Sequence, residues 1–263
     1  MKRPCFTLIE MIVVIFVISL LIALSLPYLT KSRQQATAIV CSSNVKQLMA
    51  AFIGYETENR TFPYGFRDSA SPPPEGYPGN IAFDRTGWWW FNYFFKYSYL
   101  SKDKKATLWC PSRRIRNDKL DHVLHGNYGV NQSICKSSSG LKSKEEFIGK
   151  PSGLSAILRP AETILIVDSG YSIITWWHAA DYPPFPLNNI FIEDTAYLPG
   201  LQINSSRKFW EGQQGDAIQG RHPGKQVNVG FTDGHIGTVK SDGLLVEKTE
   251  NNYRNLSPLW RPK

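Results

Sequence analysis

The sequence predicts an α+β protein: one long amino-terminal helix, first membrane-spanning and then a spine, packed on an antiparallel β-sheet head with long loops. Three observations carry this expectation. An apolar run from Met11 to Leu26 is broken only by Ser19 and Ser25. Behind it, apolar residues recur three and four apart with no glycine before Gly54. Most of the 20 glycines and 17 prolines fall later, around short alternating apolar segments. Across 263 residues, 42% are hydrophobic and 20% charged, a balance that excludes wholesale disorder.

Phe6 to Leu26 is 21 residues. At about 1.5 Å per residue a helix of that length spans about 31 Å, close to a bilayer hydrocarbon core of about 30 Å. Lys2 and Arg3 precede the run, so the positive-inside bias keeps the amino terminus cytoplasmic and sends the remainder across the membrane. A secretory signal cut after Ala23-Leu24-Ser25 and a plain anchor are the competing readings. Glu10 separates them: a carboxylate inside an apolar helix is costly and calls for a partner, which a discarded signal does not need.

The stretch CFTLIEMIVVIFVISLLIALSLP resembles the amino-terminal signal of type IV prepilins and type II secretion pseudopilins. The resemblance implies a pilin-like fold and a five-residue leader, 1–5, removed by a prepilin peptidase between Cys5 and Phe6, with Phe6 then N-methylated. Cys5 stands where that family usually has glycine. The resemblance also makes Glu10 the glutamate used in filament assembly and Pro27 the proline that perturbs the helix. The resemblance implies a single pass through the inner membrane with the head in the periplasm, and as partners the peptidase, other pilin or pseudopilin subunits and an inner-membrane assembly platform. Physically, cleavage before Phe6 leaves an amine beside hydrocarbon, and Glu10 of a neighbouring subunit would neutralise it; either charge alone pays desolvation.

Beyond a membrane segment at 6–26, residues 27–58 read as the helical spine. Ala38, Cys41, Val45, Leu48, Phe52 and Tyr55 trace one stripe, suited to docking on a sheet or to a coiled coil. The segment Cys41 to Gln47 is similar to a Cys-Asn-Leu-Lys-Gln run in pseudopilin-like helices.

Residues 59–263 form the head. Thr61 to Thr86 is a proline- and glycine-rich loop, and the aromatic block Trp88 to Tyr99 reads as core, with a ligand platform as its alternative. Thr163 to Val167 reads as a strand, followed by a second long insertion from Trp176 to Gly200. Gln226 to Phe231 and His235 to Val239 flank an Asp-Gly turn, giving a hairpin over about 226–239. The surrounding segment resembles the processing-associated His-x-Asp-Gly signature at the carboxyl end of many such proteins in Planctomycetes, Verrucomicrobia and Lentisphaerae. His222, Asp233, Gly234 and His235 match it, with one extra residue between His222 and Asp233. LWCPS, NYGVN and RPAETILIVD are also similar to blocks of these relatives.

No catalytic set or cofactor is read from the chain. It has no Gly-x-Ser-x-Gly elbow, phosphate loop or dinucleotide fingerprint. His122 and His125 have ligand-like spacing without a third ligand, and the acidic pairs Glu193–Asp194 and Asp233–Asp242 lack a calcium-loop pattern, so no metal site is assigned. His222, Asp233 and His235 are expected to serve as structural hydrogen-bonding groups if they meet across the hairpin. The net charge of +8 is scattered, densest at Lys102, Lys104, Lys105, Arg113, Arg114 and Arg116; without a recognition motif it does not point to nucleic acid. In an exported head a disulfide is permitted among Cys41, Cys110 and Cys135, and the family-like blocks favour Cys41 with Cys110. The expected function is that of a filament subunit, in a type II secretion pseudopilus or a type IV pilus-like fibre. A membrane-tethered envelope module binding through its aromatic and proline-rich loops is the alternative.

Overall fold

A computed structural model describes residues 7–68, 87–101, 106–115, 120–140, 142–182, 196–201, 214–250 and 252–262. Cys5 and Phe6, residues 69–86 of the expected proline- and glycine-rich loop, residues 102–105, Arg116 and the pair Glu193–Asp194 lie outside the described residues.

Helix α1 runs from Leu8 to Asn59, 52 residues. Thr7 begins it with a capping box, and Arg60 ends it in the left-handed region at φ 59°. Pro27 lies inside this helix, which continues through it. The hydroxyls of the apolar stretch are satisfied locally: Ser19 donates to the Ile15 carbonyl, Ser25 to Leu21 and Thr30 to Leu26. Such back-bonding to the preceding turn removes the cost of an unpaired hydroxyl in an apolar setting. Leu8 to Leu26 is exposed along its whole length. From Cys41 onward one face is covered, with Cys41, Val45, Leu48, Met49, Phe52 and Tyr55 buried. Of the expected stripe only Ala38 is half-buried, since the head begins to cover the helix one turn later.

The head is built on a five-stranded sheet in the order β5-β3-β4-β6-β7. These strands are β3 (Tyr128–Asn131), β4 (Ile164–Asp168), β5 (Ile173–Ile174), β6 (Gln226–Phe231) and β7 (Ile236–Lys240). A separate antiparallel pair, β1 (Phe66–Asp68) and β2 (Gly87–Trp89), leads into helix α2 (Trp90–Lys96). Helix α3 (Gln214–Gln219) precedes the last hairpin. The expected antiparallel sheet is therefore mixed at one edge: β3 pairs antiparallel with β4 but parallel with the two-residue β5. The connection from β4 to β5 is only four residues, from Ser169 to Ser172, and it carries the chain across the end of β3 to its far side.

Two apolar clusters sandwich the sheet. Leu165 and Ile166 of β4 join the cluster containing α1 and α2, whereas Ile164 and Val167 join a second cluster with Trp176, Trp177, Leu198 and Trp260. In β6, Val227, Val229 and Phe231 all belong to that second cluster. Strand alternation then turns Asn228 and Gly230 toward α1. Gly230 is where helix and sheet come closest: a Cβ there would lie 2.3 Å from Met49 Sδ. The helix thus packs on the glycine face of the hairpin, and the valine face is covered by the tryptophans.

Candidate functional site

At the amino end, Glu10 is held by Thr7. Its Oε2 accepts from the Thr7 backbone N–H at 2.8 Å and from the Thr7 hydroxyl at 2.7 Å. The Glu10 amide returns a bond to Thr7 Oγ1 at 3.3 Å. Among the described residues none of the head covers this turn: the first 29 residues of the helix, Leu8 to Ala36, are exposed. A single carboxylate therefore sits at the start of an uncovered apolar rod.

The carboxyl-terminal signature residues divide between two places. Asp233 and Gly234 form the turn of the β6–β7 hairpin, where Gly234 adopts φ +100°, a conformation that favours glycine. Asp233 Oδ1 accepts from the His235 amide at 3.1 Å and lies 2.6 Å from His235 Nδ1. The His235 ring stacks on Phe231, with centroids 4.3 Å apart. His222 is elsewhere, before the opposite end of β6; six residues of strand, about 20 Å, separate the two groups. A meeting of His222 with Asp233 and His235 across the hairpin, considered from sequence, does not occur. Between His222 and β6 the chain makes a tight turn, Pro223–Lys225, with positive φ at both Gly224 and Lys225.

His222 belongs to a buried polar cluster on the helix-facing side of the sheet. Asp168 ends β4 with its side chain fully buried. Its Oδ2 accepts from the Asn228 amide at 2.6 Å and from Asn228 Nδ2 at 3.1 Å, and lies 3.0 Å from His222 Nε2. Arg221, also fully buried, donates to Asp216 Oδ2 at 3.2 Å and to the carbonyls of Asn127 at 2.7 Å and Ser169 at 3.0 Å. Burial alone would lower the Arg221 pKa, but the Asp216 and Asp168 carboxylates together hold it above its ordinary value. One guanidinium thereby ties α3, the segment before β3 and the end of β4 to the start of β6. Of these residues only His222 is visible in the signature; Arg221 as its neighbour and Asp168 as the acid closing an all-apolar strand are the signals that point to the rest.

The helix docks on this cluster at Cys41. Cys41 and Cys110 form a disulfide. Asn44 Nδ2 donates to the Trp109 carbonyl at 3.0 Å, and the Tyr128 hydroxyl donates to the Cys41 carbonyl at 3.3 Å. The Cys41, Cys110 and His222 ligand atoms all lie within 4.8 Å of one another. Cys135 is free and buried, and burial pushes its thiol pKa up. His125, buried beside Tyr171, has its pKa lowered to about 4 by burial first and then by His122 and Arg113.

The aromatic block faces inward. Trp89, Trp90, Phe91, Tyr93 and Phe94 are buried in the first cluster, Phe52 of the spine contacts Trp90 and Phe94, and Tyr97 is the exposed member. Of the basic residues singled out in the sequence, Arg113 pairs with Asp121 and stacks over Trp109 at 4.3 Å. The Arg114 amide donates to Asp216.

Taken together, a long apolar amino-terminal helix packed against a mixed sheet is a generic pilin-like architecture, and its exposed first half has the length and composition of a single membrane-spanning or signal segment. Comparison with models of protein families, with characterised proteins and with solved structures finds no match.

Proposed function

We propose that the chain is a pseudopilin-like structural subunit rather than an enzyme. A prepilin peptidase would cut between Cys5 and Phe6 and methylate Phe6. The inner-membrane assembly platform would then stack the subunit with other pilins or pseudopilins into a type II secretion pseudopilus or a type IV pilus-like filament. The observation that carries this reading is the contrast along α1. One half is sealed onto the head by a buried stripe and a disulfide, while the other half exposes an apolar surface whose only acidic or basic residue between Leu8 and Thr30 is Glu10. Exposed Tyr28, Leu29, Ile39 and Val40 extend that surface beyond the membrane length, where neighbouring helices of a filament would cover it.

Mass spectrometry of the mature protein tests the processing: residue 6 is expected as an N-methylated phenylalanine, whereas a terminus at Leu26 would establish ordinary signal cleavage. Glu10→Ala tests the assembly. Removing the carboxylate eases insertion into the bilayer, so membrane-bound protein should persist while sheared filament is lost. Wild-type amounts of filament from the mutant would contradict the proposed role of Glu10.

A further inference from the structure

We propose that reduction of the Cys41–Cys110 disulfide converts the pocket beneath α1 into a site for one soft divalent cation, Zn²⁺, held by the two thiolates and His222 Nδ1. The two sulfurs and a ring nitrogen of His222 lie within 4.8 Å of one another and come from three separate segments: α1, the loop after Thr107, and the approach to β6. Cys41 is 0% exposed, Cys110 1%, and the His222 side chain 2%. His222 Nδ1 is buried without a hydrogen-bond partner.

The other ring nitrogen explains what Nδ1 is prepared for. Nε2 has two neighbours at 3.0 Å, Asp168 Oδ2 and Asn228 Nδ2. Asn228 Nδ2 already donates to that same carboxylate, and an unprotonated Nε2 would set its lone pair against the carboxylate oxygen. The proton therefore belongs on Nε2 and a lone pair on Nδ1. A carboxylate on the far nitrogen of an imidazole is the support that histidine ligands of zinc normally have. Asp168 is itself fixed by the Asn228 amide at 2.6 Å, so the ring is oriented by the sheet. Two thiolates and one imidazole suit Zn²⁺, and with Zn–S near 2.3 Å and Zn–N near 2.0–2.1 Å a tetrahedral ion needs ligand separations of about 3.5–3.8 Å. Opening the S–S bond allows them. Ser112 Oγ, 3.8 Å from Cys41 Sγ, stands beside the fourth position, which otherwise takes a water. The ion with two thiolates is electrically neutral, so the Asp168, Asp216 and Arg221 charges alongside keep their own balance.

The chemistry balances in two steps. A dithiol reductant supplies two electrons and two protons, becoming a disulfide while Cys41 and Cys110 become thiols. Zn²⁺ then displaces both thiol protons to solvent as the two S–Zn bonds form. The pair therefore closes the same junction between spine and head in either redox state, by a covalent bond or through a metal. This inference does not depend on filament assembly.

The test uses the full chain in detergent micelles, carrying Cys5→Ala and Cys135→Ala so that only this pair contributes thiols, with Co²⁺ as a visible probe. The chain reduced with a phosphine is expected to bind one Co²⁺ with release of two protons per ion and thiolate-to-cobalt charge-transfer absorption, which Zn²⁺ then abolishes by displacing the cobalt. The oxidised chain should bind at least 100-fold more weakly. His222→Gln should weaken binding at least tenfold; should that variant fail to fold, Cys110→Ser carries the test and should lose the absorption. Absence of the bands in a reduced chain that keeps its circular dichroism would overturn the proposal. So would bands of undiminished strength in His222→Gln or Cys110→Ser, or unfolding on reduction that Zn²⁺ does not reverse.

Discussion

Arg221→Met keeps much of the side-chain volume of the central guanidinium and removes its charge and all its donors. Asp216, whose side chain is fully buried, then loses its 3.2 Å partner and retains the Arg114 amide, 3.1 Å from Oδ2, and the partly exposed Arg114 guanidinium, 3.9 Å from Oδ1. Asp168, also fully buried, loses the Arg221 cation 3.9 Å from its Oδ1. The Ser169 carbonyl loses the Arg221 donor, while the Asn127 carbonyl still accepts from the Ser169 amide at 3.1 Å. Breaking a buried ion pair from one side costs about 3–5 kcal/mol, because the remaining charge keeps its desolvation penalty without its attraction. The loss of stability should fall in that range, a large fraction of what holds a domain of this size. Denaturant unfolding of the full chain in micelles, followed by tryptophan fluorescence, measures it. Adding Asp216→Asn to Arg221→Met should recover about 0.5–3 kcal/mol, since the orphaned charge is then gone. A single-mutant cost under about 1 kcal/mol, or strict additivity in the pair, would refute the claim that this network joins the head together.

His125 binds its proton less readily in the fold than in the unfolded chain, about 4 against 6.5. The unfolded state therefore takes up more protons between those values, and stability should fall by about 3 kcal/mol as pH drops from 6.5 to 4, with His125→Phe flattening that part of the profile. Gly230→Ala forces Met49 off its contact on the sheet and should cost about 1–3 kcal/mol, with Gly230→Val costing more; equal stability of all three would show that helix and sheet are not held at that spacing. Phe231→Ala, at a ring 6% exposed and stacked on His235, should cost about 3 kcal/mol. Asp233→Ala should cost about 1 kcal/mol, since it loses a turn bond at a partly exposed site, and the reverse order in melting experiments would mean that the turn does more than reverse the chain.

The long helix, its apolar first half and the face it buries were legible because they depend on periods of three and four within one segment. Cys41, Val45, Leu48, Phe52 and Tyr55 are read from spacing alone and are all covered in the fold. The terminal hairpin was legible for the same local reason: an Asp-Gly pair between two alternating strands admits few other conformations. The strand ending at Asp168 was also visible, as a run of branched apolar residues after a loop.

What those segments meet was decided only by the tertiary structure. Alternation in β6 marks Val227, Val229 and Phe231 as one face, but whether α1 or the Trp176–Trp177 region covers that face depends on the path of the intervening 50 residues. Packing resolves it through volume: α1 lies against the glycine at position 230, and the bulky valine face turns to the tryptophans. The separation of His222 from Asp233 follows from strand rise, since two signature residues flanking one extended strand cannot share a site. The Asp168–Arg221–Asp216 network has no sequence period at all. Its members lie 53 and 5 residues apart, and they are brought together because charges inside the head must be paired where the sheet, α3 and the loop before β3 converge. Sequence determined the rod and the turn; three-dimensional closure determined which buried groups answer one another.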